Sequence, residues 1–224
     1  MRSSCRLPRT SGLGAALCAA LLALGNGPGA PDPETAALLD ATQAHYDAVT
    51  DLSARFVQTA HIASLGRDEV AEGRVWFKRP GRMRWEYRTP EPRVITMDDG
   101  TLRLYSPEEE QLQIASVSSG AFSPTALDFL LGTGKLREQF VAERLPDGAD
   151  GSIQLRLQPR RESRFQFLEL RVAPDTQALR SSLLVDLLGN RTEVRFEDLE
   201  ENQGVPDERF TISVPKGTEV LDLR

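Results

Sequence analysis

Cysteine is almost missing from this chain: 224 residues contain only Cys5 and Cys18, both at the extreme N-terminus. No disulfide framework or thiolate metal site can therefore lie further along. Histidine is as scarce, and the spacing of His45 and His61 suits neither a zinc pair nor a catalytic triad. No Gly-x-Ser-x-Gly, His-Glu-x-x-His, phosphate-loop or dinucleotide fingerprint occurs. Asp147-Gly148-Ala149-Asp150-Gly151 lacks the intermediate acids and closing glutamate of a calcium loop, and reads as a turn. Without a nucleophile, a base or a ligand set, the sequence argues against an enzyme and calls for neither metal nor cofactor.

Long apolar runs are also scarce. The stretch from Leu13 to Leu24 follows Arg2, Arg6 and Arg9 with no acid among them, which is the basic and short apolar pattern of a secretory signal. It is too short to span a membrane comfortably, and no later run reaches the ~20 residues required. Residues 1–30 are expected to be a cleavable signal peptide and flexible leader, and 31–224 a soluble, exported, monomeric domain. Leu17 is too large for the position before an acylated cysteine, so Cys18 is not read as a lipid anchor. With 33 acidic residues against 27 basic ones, loss of those three arginines leaves a net charge of −9. That balance argues against nucleic acid as a partner. Roughly 195 residues fit one domain with a large core, or a core plus a cavity.

Asp32-Pro33 is a helix start, and Leu38, Thr42, His45, Tyr46 and Val49 recur at helical spacing, giving a helix over about 33–49. From Leu52 the period becomes two. Turn signals then separate strands near 70–79, 83–88, 93–98, 102–106 and 111–117. One face of this meander is apolar (Met83, Trp85, Tyr87, Leu102, Leu104, Leu112, Ile114). Arg82, Arg84, Arg88 and Arg93 fall on the opposite face or in turns, as solubilising charges. Ser123-Pro124 opens and Gly132 ends a short helix whose Leu127, Phe129, Leu130 and Leu131 cover too wide an arc for a surface position. It must be buried, lie over a cavity or meet lipid. Further strands near 139–145, 152–158, 165–173, 179–187, 191–199 and 210–214 complete a set of about 10–11. The expected class is α+β: one strongly curved, unclosed antiparallel half-barrel with two to three helices.

Within Gly73-x-Val75-Trp76-Phe77-Lys78-Arg79-Pro80-Gly81, alternation puts Arg79 on the face of Gly73, Val75 and Phe77. A guanidinium at the end of an apolar face must reach water or be held by carboxylates or backbone carbonyls. The second case makes Arg79 a latch. The acidic runs Glu108-Glu109-Glu110 and Glu197-Asp198-Leu199-Glu200-Glu201 read as solvated surface or as a docking patch for a basic partner.

Phe56-Val57-Gln58, the segment from Gly73 to Trp85, Asp99-Gly100, Tyr105-Ser106-Pro107 and Phe210-Thr211-Ile212-Ser213-Val214-Pro215-Lys216-Gly217 together resemble the LolA-type periplasmic lipoprotein carriers. The resemblance runs from about residue 35 to the C-terminus. It implies a half-barrel around an apolar cavity, lined here by Val75, Phe77, Met83, Trp85, Leu102, Leu104, Leu127, Phe129, Leu130 and Leu131. Helices would form its lid, and Arg79 would be the latch that holds lid backbone in the empty state. It further implies a chaperone that binds the acyl chains of lipoproteins released by an inner-membrane ABC-type transporter and delivers them to an outer-membrane receptor. A carrier or sensor of a glycolipid or phospholipid would use the same architecture. Arg103 departs from the pattern, since relatives often carry tryptophan there. From alternation alone, an ordinary filled core is as good a reading as a cavity.

Overall fold

The computed structural model describes residues 31–116 and 128–224. The expected signal peptide and Leu127 lie outside those residues, as does the side chain of Phe129.

Asp32 caps α1 (Pro33–Ala48): its Oδ1 accepts from the backbone N–H groups of Glu34 and Thr35, each at 3.0 Å. The buried stripe is Thr35, Leu39, Thr42 and Tyr46. Leu38 and His45, expected on that stripe, are only half-buried at its margin. The Tyr46 hydroxyl accepts from the N–H of Leu179 at 2.6 Å, which fixes the helix against the sheet.

Six strands follow as a meander: β1 (Asp51–Ile62), β2 (Arg67–Lys78), β3 (Arg82–Thr89), β4 (Arg93–Asp98), β5 (Thr101–Ser106) and β6 (Gln111–Ser116). After the short helices α2 (Asp128–Leu131) and α3 (Leu136–Gln139) come β7 (Phe140–Leu145), β8 (Ile153–Pro159), β9 (Phe165–Val172), β10 (Leu179–Asp186) and β11 (Arg191–Glu201). A 3-10 turn at Asp207–Phe210 precedes β12 (Glu219–Asp222). Among the described residues, twelve strands form one open sheet, ordered β12-β6-β5-β4-β3-β2-β1-β11-β10-β9-β8-β7. The long β1 is its spine, paired antiparallel with β2 on one side and β11 on the other.

Local chemistry explains the boundaries. Asp99 (φ 46°) and Gly100 (φ 69°) are both left-handed, the two-residue turn that matches strand twist between β4 and β5. Gly73 lies at a register irregularity between β2 and β3, where a Cβ would sit 1.9 Å from the Glu86 carbonyl oxygen and 2.8 Å from the Phe56 ring. Only a residue without a side chain fits.

Three expectations fail. Residues 210–214 form no strand: the chain leaving β11 near the middle of the sheet crosses the outer surface instead, and Phe210 is buried there with Trp76 and Val205. That crossing delivers β12 to the edge parallel to β6, so the sheet has twelve strands and one parallel pair. Leu112 and Ile114 face outward, because their partners are Tyr105 and Arg103, while Leu102 and Leu104 pair with Ala115 and Gln113. Nor is the basic set simply solvated. Arg84 donates to the carbonyls of Arg209 (3.1 Å) and Thr211 (2.8 Å), Arg82 pairs with Asp207 at 2.8 Å, and Lys78 donates to the Val205 carbonyl at 2.6 Å. These cations strap the C-terminal segment to the outside of the sheet. Their partners are distant in sequence, which is why local alternation misreads them.

Candidate functional site

The inner face of β2–β6 is organised in rows running across the strands. Phe77, Met83, Met97, Leu102 and Ala115 form one row, all buried. The next is Val75, Trp85, Ile95, Leu104 and Gln113, in which Leu104 and Gln113 are half-buried. The third begins Gly73, Tyr87, Arg93. Along the strands, the lining thus changes from sealed and apolar near Arg79 to polar and more open at the other end. On β1 the same change runs from Leu52, Ala54 and Phe56 to Gln58 and Ala60. Arg93, expected outside, is placed on the inner face by its register partner Tyr87.

Of the residues expected to line a cavity, Val75, Phe77, Met83, Trp85, Leu102, Leu130 and Leu131 are buried in one apolar cluster, with Leu104 packed against it. The cluster continues into the other half of the sheet through Leu155, Leu157, Leu168 and Leu170. Phe56, Ile95 and Met97 also belong to it, and their alternation is a readable signal. Phe56 meets Trp85 edge-on at 4.7 Å and Tyr87 at 5.1 Å, and Phe77 lies 6.1 Å from Trp85. Arg103 lies on the outer face between Thr96 and Ile114, away from this lining.

At the sealed end, Arg79 is 18% exposed. Its Nε donates to the backbone carbonyl of Leu130 in a long hydrogen bond of 3.3 Å, and its Nη1 lies 3.4 Å from Asp47 Oδ1. The next turn reinforces the contact, since the Gly81 N–H donates to the Leu131 carbonyl at 3.1 Å. Gly132, left-handed at φ 73°, ends α2 directly against the guanidinium; a Cβ there would stand 3.1 Å from it. Asp47 is the hub that sequence reasoning misses. It also accepts from Lys135 Nζ at 2.7 Å and Gln43 Nε2 at 2.9 Å, and these hydrogen bonds hold its carboxyl below the usual carboxylate range, Lys135 foremost. Gln43 in turn takes the Leu136 N–H at 2.9 Å. The end of β2, the C-terminal half of α1 and the α2–α3 segment are therefore tied at one point. Gln43 and Asp47 stand four apart on α1, but nothing local names partners some 90 residues away.

Elsewhere, Glu197 and Asp198 pair with Arg55 and Glu201 with His45, so the second acidic run is partly neutralised within the molecule. Among the described residues no cluster of histidine, cysteine, aspartate and glutamate could hold a metal ion, and no helix is long and apolar enough to cross a membrane.

A solved structure with a related fold is that of an uncharacterized conserved protein from Thermus thermophilus, with a TM-score of 0.55 at 14% identity over 84% of this chain and 99% of that one. Among curated relatives, an outer-membrane lipoprotein carrier protein of Alkalilimnicola ehrlichii is 32% identical over 178 residues, 80% of each chain. One of Chromohalobacter salexigens is 29% identical over 175 residues, 78% of this chain and 82% of the relative. The model of the outer membrane lipoprotein carrier protein LolA matches residues 47–213, and this chain belongs to that family.

Proposed function

We propose that this chain is a periplasmic chaperone that covers the acyl chains of lipoproteins between the inner and outer membranes. The observation that carries the reading is the Arg79 contact with the Leu130 carbonyl: a charge at the end of an apolar sheet face holds the helix seated on that face. Each exposed methylene of an acyl chain costs about 0.8 kcal/mol in water, so a triacylated protein needs cover to cross an aqueous compartment. The cover must also come off. A lid that competes with cargo for one apolar surface achieves both, since each state buries that surface differently. Seated, α2 puts Leu130 and Leu131 in one apolar cluster with Val75, Phe77, Met83, Trp85 and Leu102, with Leu104 packed against it; displaced, it would leave them to the acyl chains, together with Leu127, Phe129, Leu130 and Leu131 as the lid's own share. No covalent step is involved. Residues 1–30 act as the export signal, and the mature monomer receives cargo from an inner-membrane ABC-type transporter and passes it to an outer-membrane receptor.

Arg79 is the latch. At 3.3 Å this contact stands at the weak end of the range of about 1.5–3 kcal/mol for charge-assisted hydrogen bonds, a bias toward closure of about tenfold. The decisive experiment is a two-stage transfer assay. Arg79→Leu should accept a lipoprotein from inner-membrane vesicles yet release it to acceptor membranes at least about tenfold more slowly, while Arg79→Lys, which keeps charge without the fork, should be milder. Wild-type release by Arg79→Leu would remove the latch role.

A further inference from the structure

Arg93 belongs to neither the latch nor the C-terminal straps. It projects from the inner face at the open end, its Cζ 4.7 Å from the centre of the Tyr87 ring. Its Nε is buried without a hydrogen-bond partner, and among the described residues its guanidinium makes no ion pair. Neutral polar side chains share that end of the inner face. Tyr87 donates its hydroxyl to Gln58 Oε1 at 3.1 Å, and on the half-buried end of β6 Gln113 donates to Gln111 at 2.8 Å. A guanidinium on the inner face whose close contact among the described residues is a ring face keeps most of its donors available there, and planar forks of this kind recognise oxygen acceptors in pairs. The site also stands next to the apolar row Trp85, Ile95, Leu104.

We propose that Arg93, with Tyr87 and Gln58, is a head-group subsite that binds an oxygen acceptor at the glyceryl end of an acylated cargo whose chains lie along the apolar rows. The proposal rests on the carrier reading and extends it by giving the cargo an orientation: chains toward Arg79, glyceryl end toward the β1–β2 turn. Two sources supply such oxygens, the ester carbonyls of a lipoprotein's diacylglyceryl group and the phosphate of a phospholipid.

The test compares wild type, Arg93→Met and Tyr87→Phe in binding three probes: a synthetic triacylated lipopeptide, phosphatidylglycerol and the hydrocarbon fluorophore diphenylhexatriene. Arg93→Met should weaken the lipopeptide at least about tenfold, the effect of one charge-assisted hydrogen bond, and leave the hydrocarbon unchanged. Loss confined to phosphatidylglycerol would keep the subsite and assign it to phosphate. Equal losses on all three probes, or none, would overturn the proposal, the first because Arg93 then only supports the lining. Tyr87→Phe keeps the ring under the guanidinium and should lose only a fraction of the lipopeptide affinity; a loss as large as that of Arg93→Met, with the hydrocarbon also weakened, would again point to a supporting role. Failure of wild type to bind any of the three would instead sink the carrier reading.

Discussion

Gly73 is the position at which one atom matters most. Its neighbours are a carbonyl oxygen and an aromatic ring on two flanking strands, so a methyl group would require the β3 backbone and Phe56 to move together. Phe56 cannot move cheaply, being 1% exposed and packed on Trp85 and Tyr87. Gly73→Ala should therefore destabilise the fold by about 2–3 kcal/mol, as overpacking of a filled core does. Urea unfolding followed by tryptophan fluorescence checks this; a loss under about 0.5 kcal/mol would mean that the strands part easily there. The opposite case is Gly100, whose Cβ would meet only open space and whose constraint is the backbone angle alone.

At the level of elements, the C-terminal segment is held by charge as much as by Phe210. The Asp207 carboxyl is pulled down to about 2, first by its hydrogen bond with Lys78 and then by that with Arg82. A depressed carboxylate stabilises the folded state above its ordinary value of 3.8, and that contribution is lost as pH falls through about 2. Trp76 reports on the strap, since Arg209 lies 4.9 Å over its ring and Phe210 packs beside it. In a Trp85→Phe background, Trp76 emission should shift to the red as the pH drops from about 4 toward 2. Asp207→Asn should show part of that shift already at neutral pH. An emission unchanged down to pH 2 would mean that Phe210 alone secures the segment. The elements also show what can be read in advance. Strands from β1 to β11 are legible to within a few residues because each alternates and is bounded by Gly, Pro or Asp turns. The 210–214 strand is a false reading for the same reason: Phe210, Ile212 and Val214 alternate, yet Phe210 belongs to a turn that covers Trp76. The four-residue β12 alternates too briefly to be seen, and α3 is a single turn held by Gln43 and by Arg137 contacts to Asp40 and Ala36 on α1. In the candidate site, Arg79 is legible because a charge ends an apolar face. Arg93 shares its face with Ile95 and Met97 by alternation, so its inward side can be read as well, and only its charge argues for the outside. Asp47 is not legible, because its partners lie far away in sequence.

Across the whole molecule, one sheet carries everything, and its order sets its liabilities. β12 covers the outer edge of β6, with Glu219 and Asp222 as charged ends. A chain ending at Lys216 should expose the β6 ladder and self-associate by edge pairing. Sedimentation velocity across a concentration series tests this, and a strictly monomeric truncated protein would show that β6 needs no guard. Among the described residues, β12 and β7 have one strand neighbour each and do not meet. A closed barrel has a radius dictated by strand number and stagger. A sheet with two margins has none, and its girth follows whatever it grips, as a split ring follows the rod inside it. Such a sheet can widen by a small change of curvature shared among all its ladders, with no backbone hydrogen bond surrendered. On the carrier reading proposed above, one chain would then hold cargoes of different acyl bulk at similar internal cost, and the proposed lid rather than the wall would limit what it transports.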